Sequence, residues 1–277
     1  VTGKEPFPHM DSFVRFKRAV CDKDERPELT PDIPAHIQKI LTLSWQKDPT
    51  QRPTFKKILE LLDLGMIDYF VSDPVAHEFW KKNFLGQVKV NWDSFIALFC
   101  RLLDVPFSKS SKDAAQIHAK YLRFLLAEPW KAGDQDLVVT LENFGYFCSW
   151  FAPIDRSRAT LDRIEGIIRN NWFHGSISKE DSESSLSGQP DGTFLIRLSS
   201  SAPGSFTISK KYEGRVMHQR IEYKTNLGFS LKGAKKNHQA IPLKDFLREI
   251  SKALHLVHEC PGSKFFHLFV SKLDDLG

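Results

Sequence analysis

Apolar residues recur with helical spacing along the N-terminal part of the chain. Ile37, Ile40 and Leu41 share one face of a helical stretch. A later stretch repeats the pattern, with an apolar face formed by Phe55, Ile58, Leu59 and Leu62. Frequent prolines separate these stretches, because proline interrupts helices and fixes turns. The pattern predicts a helical, loop-rich N-terminal segment, residues 1–64.

The middle block, residues 65–165, is again helical in pattern but dense in aromatic residues. Two apolar triplets of equal spacing form a weak internal echo: Val90, Trp92 and Phe95, then Val139, Leu141 and Phe144. In each triplet a short strand-like segment runs directly into a helix, as the loop of an EF-hand does. Residues 160–170 keep a helical phase, which predicts a connecting helix rather than a flexible linker.

A different pattern begins after Trp172. Short stretches of alternating apolar and polar residues are separated by Gly, Ser and Asn, which is typical of strands joined by turns. A helical stretch follows at about residues 242–254. The C-terminal region, residues 166–277, is therefore predicted to be an α+β module. The whole chain is predicted to be an α+β multidomain protein whose first two thirds are helical.

Charge and hydropathy narrow the functional classes. The 277 residues include 39 Lys and Arg against 34 Asp and Glu, a net charge of +5. This mild excess lacks the dense basic runs of nucleic-acid-binding arms, so no nucleic-acid partner is predicted. No apolar run approaches the roughly 18 to 20 residues that span a bilayer, and the first residues show no signal peptide. We therefore expect a protein of the cytosol or nucleus without a membrane span, and predict a cytoplasmic location.

The cysteines argue against a disulfide framework. Cys21, Cys100, Cys148 and Cys260 stand far apart in mostly apolar surroundings. They form neither a CxxC pair nor a zinc-ligand spacing. We expect reduced, buried thiols.

One basic residue lies inside an apolar strand pattern. The run Gly192–Ser199 alternates with a period of two, so Arg197 lies on the face opposite Phe194 and Ile196. Burying a guanidinium without a partner costs several kcal/mol. Arg197 must therefore either meet a carboxylate of the same chain or wait for an anionic ligand.

The residues after this strand could complete an anion site. Ser199, Ser200 and Ser201 offer hydroxyls, and Gly204 frees the backbone to turn its amides toward a ligand. A guanidinium matches two phosphate oxygens with its fixed fork of donors. The pattern predicts a phosphate site at Arg197, with an ordinary ion pair as the alternative.

Four motifs then follow one another along the C-terminal region: WFHGSISK at Trp172–Lys179, GTFLIRLS at Gly192–Ser199, GSFTIS at Gly204–Ser209 and MHQR at Met217–Arg220. Together they resemble an SH2 domain over about residues 170–272. The resemblance implies a central antiparallel sheet flanked by two helices, and a pocket that binds phosphotyrosine.

The resemblance also implies roles around the phosphate. Arg197 matches the strand arginine that clamps the phosphate, and Ser199, Ser200 and Ser201 match the phosphate loop. Lys179 stands where many SH2 domains have a helix arginine. That exchange keeps the charge but not the bidentate contact.

Two further roles follow from the strand that carries the MHQR motif. His218 and Arg220 share one face and match the residues that line the phosphotyrosine ring and pocket. Gln219 lies on the opposite face. It is expected to help select the residues that follow the phosphotyrosine.

Short motifs also mark the N-terminal segment: Gly3–Phe7, Arg26-Pro27, Ile33-Pro34, Trp45, Asp48-Pro49, Gln51–Pro53 and Phe55. They resemble the last part of a protein kinase domain of the tyrosine-kinase or tyrosine-kinase-like type. The glycine-rich loop, the strand lysine and the HRD-type and DFG-type aspartates of phosphoryl transfer are missing from this sequence. We therefore expect this chain to be catalytically inactive and to hold no cofactor. Its parent protein is expected to be a kinase, for Tyr or for Ser and Thr, that uses ATP and Mg²⁺.

The middle block carries motifs of its own: Glu78–Trp80, Val90–Trp92, Val139–Glu142 and Trp150–Pro153. They resemble the EF-hand-like block that precedes the SH2 domain in the Cbl adaptor family, with a weaker likeness to the linker of STAT transcription factors. An aligned calcium loop has Asp134 and Asp136 at its third and fifth positions, but Ala132 and Asn143 at its first and last. No metal site is predicted, and the block is expected to be a scaffold packed against the SH2-like region.

Three functional hypotheses follow. The first is phosphotyrosine-dependent binding of partner proteins in signal transduction, by the C-terminal region of a kinase whose domain order is kinase first and SH2 last. The second is a non-enzymatic SH2 adaptor or a STAT-like or Cbl-like scaffold. The third is a scaffold whose SH2-like fold binds no phosphate, which would leave binding unchanged when Arg197 is replaced.

Overall fold

A computed structural model of the chain describes residues 5–8, 10–107, 115–129, 136–199, 201–224, 228–233 and 241–270. Within these residues lie eleven α-helices and nine strands, and the strands form two sheets. Helices fill the first two thirds of the chain, and the larger sheet belongs to the last third. The predicted α+β class, with helices first and the larger sheet in the C-terminal part, is confirmed.

The described N-terminal segment consists of helices and turns: α1 (Phe13–Lys17), a π-helical turn (Arg18–Asp22), α2 (Ala35–Ser44), a 3₁₀ turn (Pro49–Gln51) and α3 (Phe55–Phe70). Asp48 starts the 3₁₀ turn, since its carboxylate accepts a hydrogen bond from the Thr50 N–H at 2.9 Å. The helices predicted around Ile40 and after Pro53 are confirmed. On the predicted apolar face of α3, however, Phe55 and Leu59 are 86% and 61% exposed.

The middle block consists of helices joined by short strands: α4 (Pro74–Phe84), β1 (Lys89–Asn91), α5 (Trp92–Leu102), α6 (Ala115–Leu126), β2 (Ala127–Pro129), β3 (Leu137–Thr140), α7 (Leu141–Phe151) and α8 (Ala159–Ile168). The strands form an antiparallel sheet in the order β1-β3-β2. Val90 pairs with Val139, so the two strands of the predicted echo lie side by side. Asn91 and Thr140 cap the helices that follow these strands.

Aromatic rings fill the centre of the middle block. Trp80 stacks on Phe144 at 5.3 Å between ring centroids, and Phe95 meets Phe144 edge to face at 5.4 Å. Buried Asp73 joins two distant parts of this block. One carboxylate oxygen caps α4 through the Ala76 N–H and the other accepts the Ile154 N–H, each at 2.9 Å.

The C-terminal region is built on a six-stranded sheet with helices around it: β4 (Phe173–Gly175), α9 (Lys179–Ser187), β5 (Thr193–Leu198), β6 (Phe206–Tyr212), β7 (Arg215–Lys224), β8 (Gly228–Leu231), α10 (Leu243–Leu254), β9 (His258–Glu259) and α11 (Lys264–Val270). Strands β5 to β8 are antiparallel neighbours, as predicted. Strands β4 and β9 both pair with β5 in parallel, so this edge of the sheet is mixed.

The two long helices of this region cover opposite faces of the sheet. Leu195 of β5 packs with Leu186 of α9 and with Cys260. Its neighbour Ile196 belongs to the main core, together with Phe246 of α10. Because side chains alternate along a strand, α9 and α10 lie on different faces.

One apolar core joins the middle block to the C-terminal region. Its buried members run from Ile67 in α3 to Phe265 in α11. The predicted boundaries after residues 64 and 165 fall inside α3 and α8, so the chain crosses both positions without a loop.

A buried polar cluster lies where α6, α8 and α11 meet. Glu165 accepts a hydrogen bond from the Tyr121 hydroxyl at 3.4 Å. It also lies 2.7 Å from His118 Nε2 and 2.6 Å from the guanidinium of Arg169, which in turn lies over the Phe269 ring. Burial opposes the ionisation of Glu165, but its close contact with His118 and the charge of Arg169 lower its pKa below the ordinary value.

The cysteines are all free, but they are not all buried. Cys100, Cys148 and Cys260 are buried, whereas Cys21 is exposed, so the expectation was wrong for Cys21. Among the residues whose structure is described, no group of three or more His, Cys, Asp or Glu is placed to hold a metal ion. Ala132 and Asp134 of the aligned calcium loop lie outside those residues. In the described ranges, no helix is long and apolar enough to cross a membrane.

Two glycines give a matched test of the packing between α3 and α7. A Cβ on Gly145 would lie 2.2 Å from the backbone oxygen of Phe70, whereas a Cβ on Gly166 in α8 would meet nothing within 4 Å. Gly145→Ala should lower the free energy of unfolding by about 1 to 3 kcal/mol, because the helix backbones must separate. Gly166→Ala should raise it by about 0.5 to 1 kcal/mol, since alanine favours the helix.

Urea denaturation followed by far-UV circular dichroism measures both variants. Equal midpoints for Gly145→Ala and the wild type would show that α3 and α7 do not pack as closely as described.

Candidate functional site

Arg197 lies in the middle of the C-terminal sheet. It is in β5, between Gly175 of β4 and Thr207 of β6, and is only 8% exposed. Its Nε is buried and has no hydrogen-bond partner among the described residues. Burial lowers the pKa of the guanidinium, an effect that the Glu180 carboxylate opposes. An arginine stays charged under these conditions, so a cation with unused bonding capacity lies inside the fold.

The loop from β5 to β6 curls over the end of the Arg197 strand. The Ser199 N–H donates to the Ser205 carbonyl and the Ser205 N–H donates to the Ala202 carbonyl, each at 3.0 Å. Gly204 has a φ of +82°, a conformation that glycine adopts without strain. The Ser201 hydroxyl accepts from the Arg220 guanidinium at 3.0 Å. Ser200 lies outside the described residues.

His218 joins β7 to β6 and α9. Its Nδ1 lies 2.9 Å from the Ser209 hydroxyl, and its Nε2 lies 3.1 Å from Glu183 Oε1. The Ser209 hydroxyl also donates a hydrogen bond to the Ser182 hydroxyl at 3.4 Å. The ring is therefore held on both sides and faces α9.

Lys179 opens α9, which Ser178 and Asp181 cap reciprocally. Its side chain is 57% exposed, and its Nζ lies 3.5 Å from Glu183 Oε1. The hydrogen bond from His218 lowers the pKa of the Glu183 carboxyl, and the Lys179 charge adds to this effect.

Strand register brings the sequence-predicted residues together. Thr207 pairs with both Arg197 and Arg220, while Ser209 pairs with His218, so these side chains lie on the sheet face that α9 covers. Gln219 points to the other face, as the period of two predicts. The surface formed by Arg197, Ser199, Ser201, Lys179, His218 and Arg220 suits an anion rather than a bond-breaking reaction. Their roles in binding stay predictions.

The middle block touches the loop from β5 to β6 directly. The indole N–H of Trp150 in α7 donates to the Ser205 carbonyl at 2.9 Å. A Cβ on Gly204 would lie 3.1 Å from the Ser149 carbonyl oxygen, so glycine also lets α7 approach closely. The same Ser205 carbonyl accepts the Ser199 N–H. Trp150 therefore helps to fix the loop beside Arg197.

Sequence reasoning missed Glu183, Ser209 and Trp150. Ser209 could have been found from the period of two along β6, and Glu183 from its position four residues after Lys179. Trp150 gave no such signal, because its partner lies 55 residues away.

Family comparisons agree with the motifs at both ends of the chain. Residues 172–245 match the model described as SH2 domain. Residues 1–62 match the model described as protein tyrosine and serine/threonine kinase.

Curated relatives cover nearly the whole chain. It is 35% identical over 262 residues to the dual specificity protein kinase shkC of Dictyostelium discoideum, covering 91% of this chain and 50% of that protein. The dual specificity protein kinase shkA of the same organism is 30% identical, with 96% and 53% covered. The chain thus spans about half the length of the curated relatives it matches.

Among the solved structures to which the chain is similar is the solution NMR structure of an SH2 domain from a Monosiga brevicollis CRK/CRKL homolog, 29% identical, covering 30% of this chain and 75% of that chain with a TM-score of 0.27.

Trp150→Phe tests the contact between α7 and the loop. The change keeps an aromatic ring but removes the N–H donor, and a hydrogen bond of this kind is worth about 1 kcal/mol. We expect the Ser199 amide to exchange its hydrogen about fivefold faster, measured by NMR, since it shares the Ser205 acceptor. Trp45→Phe in the N-terminal segment is the control. Unchanged exchange at Ser199 in Trp150→Phe would mean that α7 does not hold the loop.

Proposed function

We propose that this chain, which carries an SH2 domain at residues 172–245 behind the C-terminal part of a protein kinase domain, docks onto phosphorylated tyrosines of partner proteins. The observation that carries the proposal is Arg197. It is a buried guanidinium whose Nε has no partner in the described part of the chain.

The chemistry around Arg197 favours a phosphate as the ligand. A buried guanidinium nitrogen without a partner is costly, and phosphate oxygens can satisfy the fork of donors that the guanidinium presents. Hydroxyls and turned backbone lie next to it, with Ser199 buried at the strand end and Ser201 already accepting from Arg220. A second cation, Lys179, lies at the rim on α9.

The depth of the site favours tyrosine as the carrier of the phosphate. Arg197 lies in a central strand between β4 and β6, and α9 covers the same face. A phosphate must therefore be carried on a long, stiff side chain to reach the guanidinium. His218 and Arg220 are the groups on β7 that would flank such an aromatic ring.

The whole protein, on this proposal, is a signalling kinase of the cytoplasm. The relatives are called dual specificity protein kinases, and this chain spans about half of their length. The missing upstream part would transfer phosphoryl groups from ATP with Mg²⁺, and the present chain would supply docking. Docking raises the local concentration of a phosphorylated partner near the kinase.

Replacing Arg197 tests the proposal. Arg197→Ala should weaken binding of a phosphotyrosine peptide at least tenfold, because each charge-assisted hydrogen bond lost costs about 1.5 to 3 kcal/mol. Arg197→Lys should also bind weakly, since an ammonium keeps the charge but not the fork. Fluorescence anisotropy of the full chain with a phosphotyrosine peptide library measures both effects.

Two controls make the outcome specific. Unphosphorylated peptides should bind at least tenfold more weakly than their phosphorylated forms, since they lack the dianion. Arg248→Lys changes an exposed arginine on α10, the opposite face of the sheet, and should leave binding unchanged. Binding that is equal with and without phosphate, or that is unchanged in Arg197→Ala, would contradict the proposal and support a scaffold whose SH2-like fold does not bind phosphate.

A further inference from the structure

A carboxylate lies among the cations of the phosphotyrosine site. Glu183 Oε1 lies 3.1 Å from His218 Nε2 and 3.5 Å from Lys179 Nζ. This one oxygen therefore contacts two of the side chains that the proposed function assigns to phosphate binding.

The local fold does not require this carboxylate. The N-terminus of α9 is capped by Ser178 and Asp181, and the helix packs through buried Leu186 and Ser182. The Glu183 side chain is itself 44% exposed. A neutral residue of the same shape would keep the helix and could still accept from His218.

Its charge has a consequence for an incoming phosphate. An acidic group at the edge of an anion site repels a dianion and holds a cation that the dianion would use. Before Lys179 can reach a phosphate, its contact with Glu183 has to break. His218 then loses the anionic partner of its Nε2 or shares it with the ligand.

We propose that Glu183 is a positioning residue that acts as an internal competitor of the phosphate. It holds His218 against β6 and keeps Lys179 away from the ligand until the phosphate displaces it. The proposal rests on the proposed function, since it assigns a regulating group to the same site. Glu183 thereby weakens phosphotyrosine binding and speeds the release of the phosphorylated partner.

The ordinary alternative is an exposed ion pair on a helix surface. Lys179 and Glu183 are four residues apart, a spacing at which such pairs form without any role in binding. That alternative predicts no change in phosphopeptide affinity when the glutamate loses its charge.

A double-mutant cycle separates the two. Glu183→Gln keeps an acceptor for His218 but releases Lys179, so the full chain should bind a phosphotyrosine peptide about twofold to fivefold more tightly at low salt. In a Lys179→Gln background, Glu183→Gln should increase the affinity clearly less, because the cation for which Glu183 and the phosphate compete is absent. Raising the salt should shrink the gain, since the groups are exposed.

Asp245→Asn is the matched control. It removes one negative charge from the same region, but on α10, where Asp245 pairs with Arg248 at 3.1 Å. This variant should bind as the wild type does. Thermal unfolding of every variant checks that α9 remains folded.

The Glu183 carboxyl offers a second readout, followed by NMR. Its pKa should rise when the phosphopeptide binds to the wild type, and should rise clearly less in the Lys179→Gln background, because only the wild-type carboxyl also loses the contact with Lys179. An equal rise in the two backgrounds would overturn the proposal.

Several affinity results would also overturn it. These are unchanged or weaker binding by Glu183→Gln, or an equal gain in the Lys179→Gln background. If the wild type reads no phosphate, or Arg197→Ala binds equally well, the proposed function fails and this inference fails with it. If those two tests succeed and Glu183→Gln has no effect, only the inference about Glu183 fails.

Discussion

The shared apolar core is the constraint on which the other features depend. Buried side chains from α3, from every helix of the middle block and from the C-terminal sheet belong to one cluster. Burial of apolar area is the main stabilising contribution in such a core, and it has no direction of its own. A few polar contacts of buried side chains, such as those of Asp73 and Glu165, have a defined geometry and fix how the helices of the middle block lie relative to one another.

Polar side chains on the face of the C-terminal sheet that α9 covers give this region its chemistry. The α10 face of β5 and β6 is apolar, whereas the α9 face carries Arg197, Thr207 and Ser209. Such a face is costly to bury unless its donors find acceptors. Ser209 is satisfied by contacts inside the chain, and Arg197 Nε is not, among the described residues. In the proposed function, this unused donor of Arg197 is the one that the phosphate would satisfy.

Local patterns predicted the elements well and their partners poorly. Helical spacing identified α2, α3, α8 and α10, and the period of two put Gln219 on the face opposite His218. The motifs around Arg197 identified the SH2 domain. A period reports which way a side chain points, but not what it meets. The parallel pairing of β4 and β9, the exposed Phe55, and the contact of Trp150 with Ser205 all depend on distant residues, and so the sequence did not reveal them.

The contact of Trp150 with the loop beside Arg197 has a consequence for how such a chain can evolve. A domain with its own core can in principle fold alone, so recombination can move it from one protein to another. Here an indole from a neighbouring unit reaches the loop, Gly204 lies against the backbone of α7, and one core is common to both units. An SH2 domain from another protein, inserted at this position, would leave the Trp150 N–H without its acceptor and would expose part of the apolar core to water. The two units are therefore expected to be inherited together.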